Sequence, residues 1–185
     1  MHHPAELILS DGTRYHGWSF GYDHGRDGEV VFNTGMVGYP ETLTDPSYRG
    51  QILVLTYPLV GNYGVPALTQ LESDRIQVSG LIVSEYSEQF SHWDARQSLS
   101  DWLKQGHIPA ITGIDTRALT KKLRQHGVMV GRIAVGNVET RQVASLQDPN
   151  TRNLVAEVSC RRTRSYGRGK KTVVVVDCGV KESII

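Results

Sequence analysis

The stretch that decides the fold is GEVVFNTGMVGYPETLTDPSYRGQILVLTYPLVGNYG, residues 28–64. It contains two apolar runs, 29–32 and 51–57, that predict strands. Between them, Thr-Asp-Pro-Ser-Tyr at 44–48 has the polar side chains and the proline of a tight turn, so Ser47 is expected at the surface. The stretch is dense in turn residues and aromatics but lacks a complete catalytic set, which indicates half of a site.

Strands and helices are predicted on both sides of this stretch. The opening pattern is a β-hairpin over residues 5–9 and 14–20, joined at Asp11-Gly12. The clearest helix covers 116–126, with Asp115 as its N-cap and Gly127 just beyond its end. The other predicted elements are strands at 75–84, 108–114 and 128–135 and helices at 94–105 and 140–146. This order predicts an α/β fold with α+β character.

The composition restricts the partners. Twenty Lys and Arg against 19 Asp and Glu give a net charge of +1, which offers no global attraction to nucleic acid or to an anionic membrane. No apolar run is long enough to span a bilayer, and residues 1–6 lack the pattern of a secretion signal. Two cysteines are too few to indicate a disulfide framework. We therefore expect a cytoplasmic protein with no nucleic-acid or membrane partner.

The last 50 residues predict a change of domain. Residues 136–171 are polar, with several cations between Arg161 and Lys171, and are typical of a linker. Residues 172–185 then form a continuous apolar run and a turn, as in the first βα unit of a doubly wound sheet. Because a parallel strand needs neighbours, one such unit cannot fold alone. We expect a second domain to begin near Lys171 with only its first strand and turn in this sequence.

No residue is predicted to be catalytic and none to bind a metal. Cys178 lacks the glycine two residues earlier that a Gly-x-Cys-x-Gly nucleophile elbow requires, so we interpret it as a structural, buried thiol. Ser47 lacks an elbow and a triad spacing, and from the residues alone its hydroxyl is expected to stabilise its own turn. His2 and His3 have no partner at metal-ligand spacing. Gly61-Asn62-Tyr63-Gly64 is interpreted as a structural turn.

The motifs as a set resemble the amino-terminal part of the small, glutamine-hydrolysing chain of carbamoyl-phosphate synthetase. Each motif is weak, but their collinear order is specific. The matching segments are 32–39, 44–48, 55–58, 61–64, 115–120, 123–124, 153–158 and 173–181.

The resemblance implies a domain organisation and a site. Residues 1–135 would form a three-layer β/β/α swivelling-type domain, 136–171 a linker, and 172–185 the start of a doubly wound class I glutamine amidotransferase domain. In the family the serine of Asp-Pro-Ser-Tyr contacts the bound glutamine, so Ser47 becomes the expected glutamine-binding residue. The second domain would supply the cysteine, histidine and glutamate of catalysis.

The resemblance also implies partners. L-Glutamine would be hydrolysed and its ammonia delivered to the large chain, where ATP and Mg would support carbamoyl phosphate synthesis for arginine and pyrimidine biosynthesis. This chain itself would hold no cofactor and would be inactive alone. Two other interpretations stay open: a non-enzymatic scaffold of the same fold, and an RNA-binding module suggested only by the cations of the linker.

Overall fold

The computed structural model describes residues 3–67, 71–136 and 146–185. Within these ranges seven strands close into a barrel in the order β1-β2-β8-β6-β4-β3-β9, and β5 pairs with β7 in a small parallel sheet. The strands are β1 Pro4–Leu9, β2 Arg14–Ser19, β3 Arg26–Asn33, β4 Gln51–Leu55, β5 Leu59–Val60, β6 Gly80–Ile82, β7 Glu85–Tyr86, β8 Ala110–Thr112 and β9 Met129–Val135. The helices are α1 Tyr39–Thr44, α2 Leu99–Gln105, α3 Thr116–His126 and α4 Leu154–Val158.

The predicted hairpin is confirmed. β1 and β2 are antiparallel, with Leu7 opposite Tyr15, and β1 also pairs with β9 to close the barrel. At the turn the Gly12 amide donates to the Leu9 carbonyl, and the Thr13 amide donates to the Asp11 carboxylate. The Asp-Gly pair therefore specifies the turn as its sequence indicates.

The barrel is mixed, because β3, β4, β6 and β8 run parallel to one another. Residues alternate between two cores along β4: Ile52 and Val54 face one cluster, and Leu53 and Leu55 face the other. The first cluster includes Leu119 and Leu123 of α3, and the second includes Leu43 of α1 together with Leu99 and Leu103 of α2. Burial on both faces explains why the strand reads as a continuous apolar run.

The α/β character is confirmed. The swivelling three-layer arrangement and the three domain boundaries stay predictions. Helix α3 has the predicted bounds and cap, with the Ala118 amide donating to the Asp115 carboxylate. The helix predicted at 140–146 falls almost wholly outside the described residues.

Several predicted elements are shorter in the structure. The strand predicted at 75–84 is reduced to Gly80–Ile82, and the helix predicted at 94–105 begins at Leu99, because Ser98 caps it by accepting from the Asp101 amide. Helix α1 was not predicted, since six residues are too short to show a periodic pattern.

The prediction of a strand near the carboxyl end is wrong for the described residues. Val173, Val174, Val175 and Val176 are between 56% and 85% exposed and pair with no strand in the described ranges. The prediction that Cys178 is buried is also wrong, because its side chain is exposed. The strand is absent because a parallel strand forms only where a neighbouring strand offers hydrogen bonds.

We expect Leu119→Ala to reduce the free energy of unfolding by about 2–5 kcal/mol, since the side chain is fully buried between α3 and the barrel. Denaturant unfolding followed by circular dichroism measures the change. The control is Gln125→Ala, exposed on the same helix, with an expected change within about 0.5 kcal/mol. Equal effects of the two substitutions would contradict the packing described here.

Candidate functional site

The Ser47 turn lies in the connection between the parallel strands β3 and β4. Pro46–Tyr48 form a single 3₁₀ turn capped by Asp45, whose Oδ1 accepts a hydrogen bond of 2.9 Å from the Ser47 amide. The cap is the Asx-type geometry that Asp-Pro sequences favour. Ser47 is exposed, as predicted.

The Ser47 hydroxyl takes no part in holding this turn. Among the described residues its Oγ makes no hydrogen bond, and the turn is fixed instead by Asp45 and by the Tyr48 amide donating to the Asp45 carbonyl. The expectation that the hydroxyl stabilises its own turn is therefore wrong. The hydroxyl is free to donate and accept hydrogen bonds.

A network of buried polar groups fixes the start of the connection. The Tyr63 hydroxyl accepts from the amides of Gly38 and Tyr39 at 2.8 and 3.1 Å, so it satisfies two amides at the start of α1. Tyr39 stacks on Tyr63 and donates to the Gly64 carbonyl at 2.6 Å. Residues 61–64 thus form the structural turn that was predicted, and their role is to hold α1.

The end of α1 is fixed in the same way. Thr44 is fully buried; its Oγ1 accepts from the Glu72 amide at 3.1 Å and its carbonyl accepts from the Ser73 hydroxyl at 2.6 Å. On the other side of the turn, Gly50 has φ +82°, and an added Cβ would lie 2.9 Å from Cβ of Pro149. The turn is therefore held between two rigid ends.

The carboxyl-terminal segment contacts this turn directly. Lys181 Nζ lies 3.3 Å from the second carboxylate oxygen of Asp45, and this ion pair raises the pKa of Lys181. The amides of Glu182 and Ser183 donate to the carbonyl and carboxylate of Glu72 at 3.0 Å. Asp45 therefore joins the Ser47 turn to residues 181–183, a connection that the sequence did not reveal.

A second carboxylate organises the same segment. Asp177 accepts hydrogen bonds from the amides of Val180, Gly179 and Cys160, and these bonds hold the pKa of its carboxyl far below the ordinary value of 3.8. Gly179 has φ +101°, and a Cβ there would approach Val158 to 2.8 Å and Pro46 to 3.1 Å. The segment thus packs against the proline of the Ser47 turn.

A shallow depression lies at the start of the connection between β3 and β4, next to residues 55–63. Asn33 lines it and donates a 3.1 Å hydrogen bond from its side-chain amide to the Tyr48 hydroxyl. Its lining includes Asn33, Met36, Val37, Tyr39, Tyr57 and Tyr63, of which Met36 and Val37 are mostly exposed.

The described residues at the Ser47 turn provide neither an activated nucleophile nor a metal site. In the described ranges no imidazole or carboxylate is hydrogen-bonded to the Ser47 hydroxyl, so nothing activates it as a nucleophile. No group of three or more His, Cys, Asp or Glu in those ranges is arranged to hold a metal ion.

None of the helices in the part of the chain that the structure describes is long and apolar enough to cross a membrane.

We expect Asp45→Ala to release the Ser47 turn, because the substitution removes both the cap and the partner of Lys181. Loss of a capping carboxylate costs about 0.5–2 kcal/mol. Hydrogen exchange of the Ser47 amide should accelerate, as measured by NMR. The control Lys181→Gln removes only the ion pair and should leave this amide protected; acceleration by Lys181→Gln alone would contradict the assigned cap.

The hydrogen bonds of Asp177 make the carboxyl-terminal segment sensitive to acid. The pKa of the Asp177 carboxyl is lower in the folded state than in the unfolded state. The ionised carboxylate therefore stabilises the folded state at pH values above the unfolded pKa, and this contribution is lost as the pH falls below about 4. Exchange of the amides of Cys160 and Val180 should therefore rise relative to α3 on acidification. Asp177→Asn should raise their exchange at neutral pH and flatten the pH dependence, and an unchanged profile would refute this role.

The comparisons with known proteins point to one family. The family model described as carbamoyl-phosphate synthase small chain, CPSase domain, matches residues 7–133. The human protein named carbamoyl-phosphate synthase (ammonia), mitochondrial, is 47% identical over 98% of this chain and 12% of its own length. The carbamoyl phosphate synthase arginine-specific small chain of Aspergillus oryzae is 45% identical over 100% of this chain and 43% of its own length.

The chain thus spans less than half of the length of either relative. Among solved structures, an aminopeptidase from Aneurinibacillus sp. strain AM-1 aligns with 75% of this chain and 34% of its own, at 11% identity and a TM-score of 0.40, which is too weak to support an argument. The match to the family model includes the Ser47 turn and α3, and the alignment with the Aspergillus oryzae chain also includes residues 171–185. The chain belongs to the carbamoyl-phosphate synthase small-chain family.

Proposed function

We propose that this chain is the amino-terminal part of a glutamine-hydrolysing carbamoyl-phosphate synthase small subunit, in which Ser47 binds L-glutamine. The observation that carries the proposal is the Ser47 hydroxyl, exposed and without a partner among the described residues, on a turn fixed by Asp45 and by the segment after Asp177. A free hydroxyl on a rigid turn loses little conformational entropy when it binds a ligand. This is the arrangement that a positioned substrate contact requires.

The amidotransferase domain would begin near Lys171 and provide the reaction. Its cysteine thiolate attacks the carboxamide carbon of glutamine, the C–N bond breaks, and ammonia leaves with a proton from the catalytic histidine. Water then hydrolyses the glutamyl thioester to glutamate. The 185 residues contain no Gly-x-Cys-x-Gly sequence, so the chain by itself should release no ammonia from glutamine.

The large chain is the proposed partner. It would use the ammonia with bicarbonate and ATP, supported by Mg, to make carbamoyl phosphate for arginine and pyrimidine biosynthesis. A cytoplasmic location is part of the proposal, although the human relative is named as mitochondrial.

Free ammonia is the alternative nitrogen source, and the name of the human relative specifies ammonia. A non-enzymatic scaffold is the other alternative. Both differ from the proposal in one measurable respect, since only a glutamine-hydrolysing subunit makes carbamoyl phosphate synthesis depend on glutamine. The assay uses the product of the full open reading frame together with the large chain.

We expect Ser47→Ala in that complex to raise the KM for glutamine about tenfold or more, because a hydrogen bond to a charged group of the substrate is lost. Synthesis from added ammonia should be unchanged, since it bypasses the glutamine site. Steady-state kinetics with each nitrogen source measures both effects.

Ser91→Ala is the matched control, because Ser91 is also exposed and only its backbone amide forms a hydrogen bond in the described structure. It should leave both activities unchanged. An unchanged KM for glutamine in Ser47→Ala would remove Ser47 from the site. Synthesis from ammonia but not from glutamine by the unsubstituted complex would refute the proposed function itself.

A further inference from the structure

Residues 161–171 form a basic segment, Arg-Arg-Thr-Arg-Ser-Tyr-Gly-Arg-Gly-Lys-Lys. The segment carries six of the 20 Lys and Arg of the chain and none of the 19 Asp and Glu, so the other residues carry 14 basic and 19 acidic side chains. It therefore has a charge of +6, while the rest of the sequence has a net charge of −5. Positive charge is concentrated on one short part of an otherwise acidic chain.

The side chains of the basic segment are exposed. Together with residues 172–176, which are also exposed, the segment forms a loop with neither helix nor strand in the described structure. None of its six basic side chains forms an ion pair with a described residue. Arg164 interacts with the Tyr166 hydroxyl and, without an ion pair, with the charge of Glu182. The cations are thus solvated and accessible to an anionic partner.

Both ends of this loop are held in place. The Cys160 amide donates to the Asp177 carboxylate at 2.7 Å, which joins the residue before the loop to the residue after it. Arg49 forms a 2.8 Å ion pair with α4, before the loop, and Lys181, after the loop, lies 3.3 Å from Asp45. The basic segment is therefore presented at a fixed place, which reduces the entropy lost when a partner binds.

The composition of the chain favours an acidic protein segment over a nucleic acid as the partner. Tyr166 is the one aromatic residue in the sequence 161–171, so the segment offers no series of rings on which bases could stack. A nucleic acid also extends its charge beyond the loop, where it would face the net negative charge of the other residues. Four of the six cations are arginines, whose guanidinium forks match carboxylates.

We propose that the basic segment is a docking site for an acidic segment of a protein partner. Exposed ion pairs each contribute little, so the affinity comes from several pairs acting together and decreases as the salt concentration rises. The site is separate from Ser47 and does not depend on glutamine or on the proposed function.

Fluorescein-labelled decaglutamate is the probe for this site, and the protein is the product of the full open reading frame. Fluorescence anisotropy should show saturable binding that weakens as NaCl is added. Arg161→Gln, Arg162→Gln and Arg164→Gln combined should weaken binding about tenfold, since three ion pairs are lost. Carbodiimide coupling followed by mass spectrometry should join the probe mainly to Lys170 and Lys171.

The matched control combines Arg117→Gln, Lys121→Gln and Arg124→Gln. These exposed residues of α3 carry the same total charge, and none forms an ion pair in the described ranges. The control should weaken binding by less than about twofold. The absence of saturable binding, equal weakening by the two triple variants, or coupling mainly to other lysines would overturn the proposal. Tighter binding of fluorescein-labelled decauridylate than of decaglutamate would overturn it in favour of a nucleic-acid site.

Discussion

The parallel pairing of β3 with β4 is the constraint on which the rest of the structure depends. Val30 pairs with Ile52 and Phe32 with Val54 in the same direction, so the chain must leave the end of β3 and return along the barrel before β4 can begin. Such a crossover needs about a dozen residues or more. Here it contains α1 and the Ser47 turn, and the loop that carries the candidate site exists because two adjacent strands run parallel.

Hydrogen bonds hold the crossover at its beginning, at the end of α1 and at the turn. Tyr63 holds its beginning, Thr44 holds the end of α1, and Asp45 holds the turn itself. Asp45 uses one carboxylate oxygen for the Ser47 amide and the other for Lys181, so the turn and the carboxyl-terminal segment stabilise each other. The Ser47 hydroxyl, by contrast, is left out of this network, which supports a role in contact with a ligand.

Much of the barrel was predictable from sequence because its signals are local. Asp11-Gly12 specifies the hairpin and Asp115 specifies the start of α3, and each acts within a few residues. Closure of the barrel was not predictable, since it depends on the pairing of β1 with β9 across most of the chain. The role of Ser47 is predicted from the Asp-Pro-Ser-Tyr motif and the family resemblance. The contacts of Lys181 with Asp45 and of Ser183 with Glu72 were not predicted, because the partners are distant in sequence.

The most direct test of this account is a crystal structure of the full open-reading-frame protein with glutamine bound. The account predicts that the Asp45 cap is retained and that Ser47 Oγ lies about 2.6–3.2 Å from the amino or carboxylate group of the ligand. Glutamine bound away from this turn, with the Ser47 hydroxyl facing solvent, would contradict it.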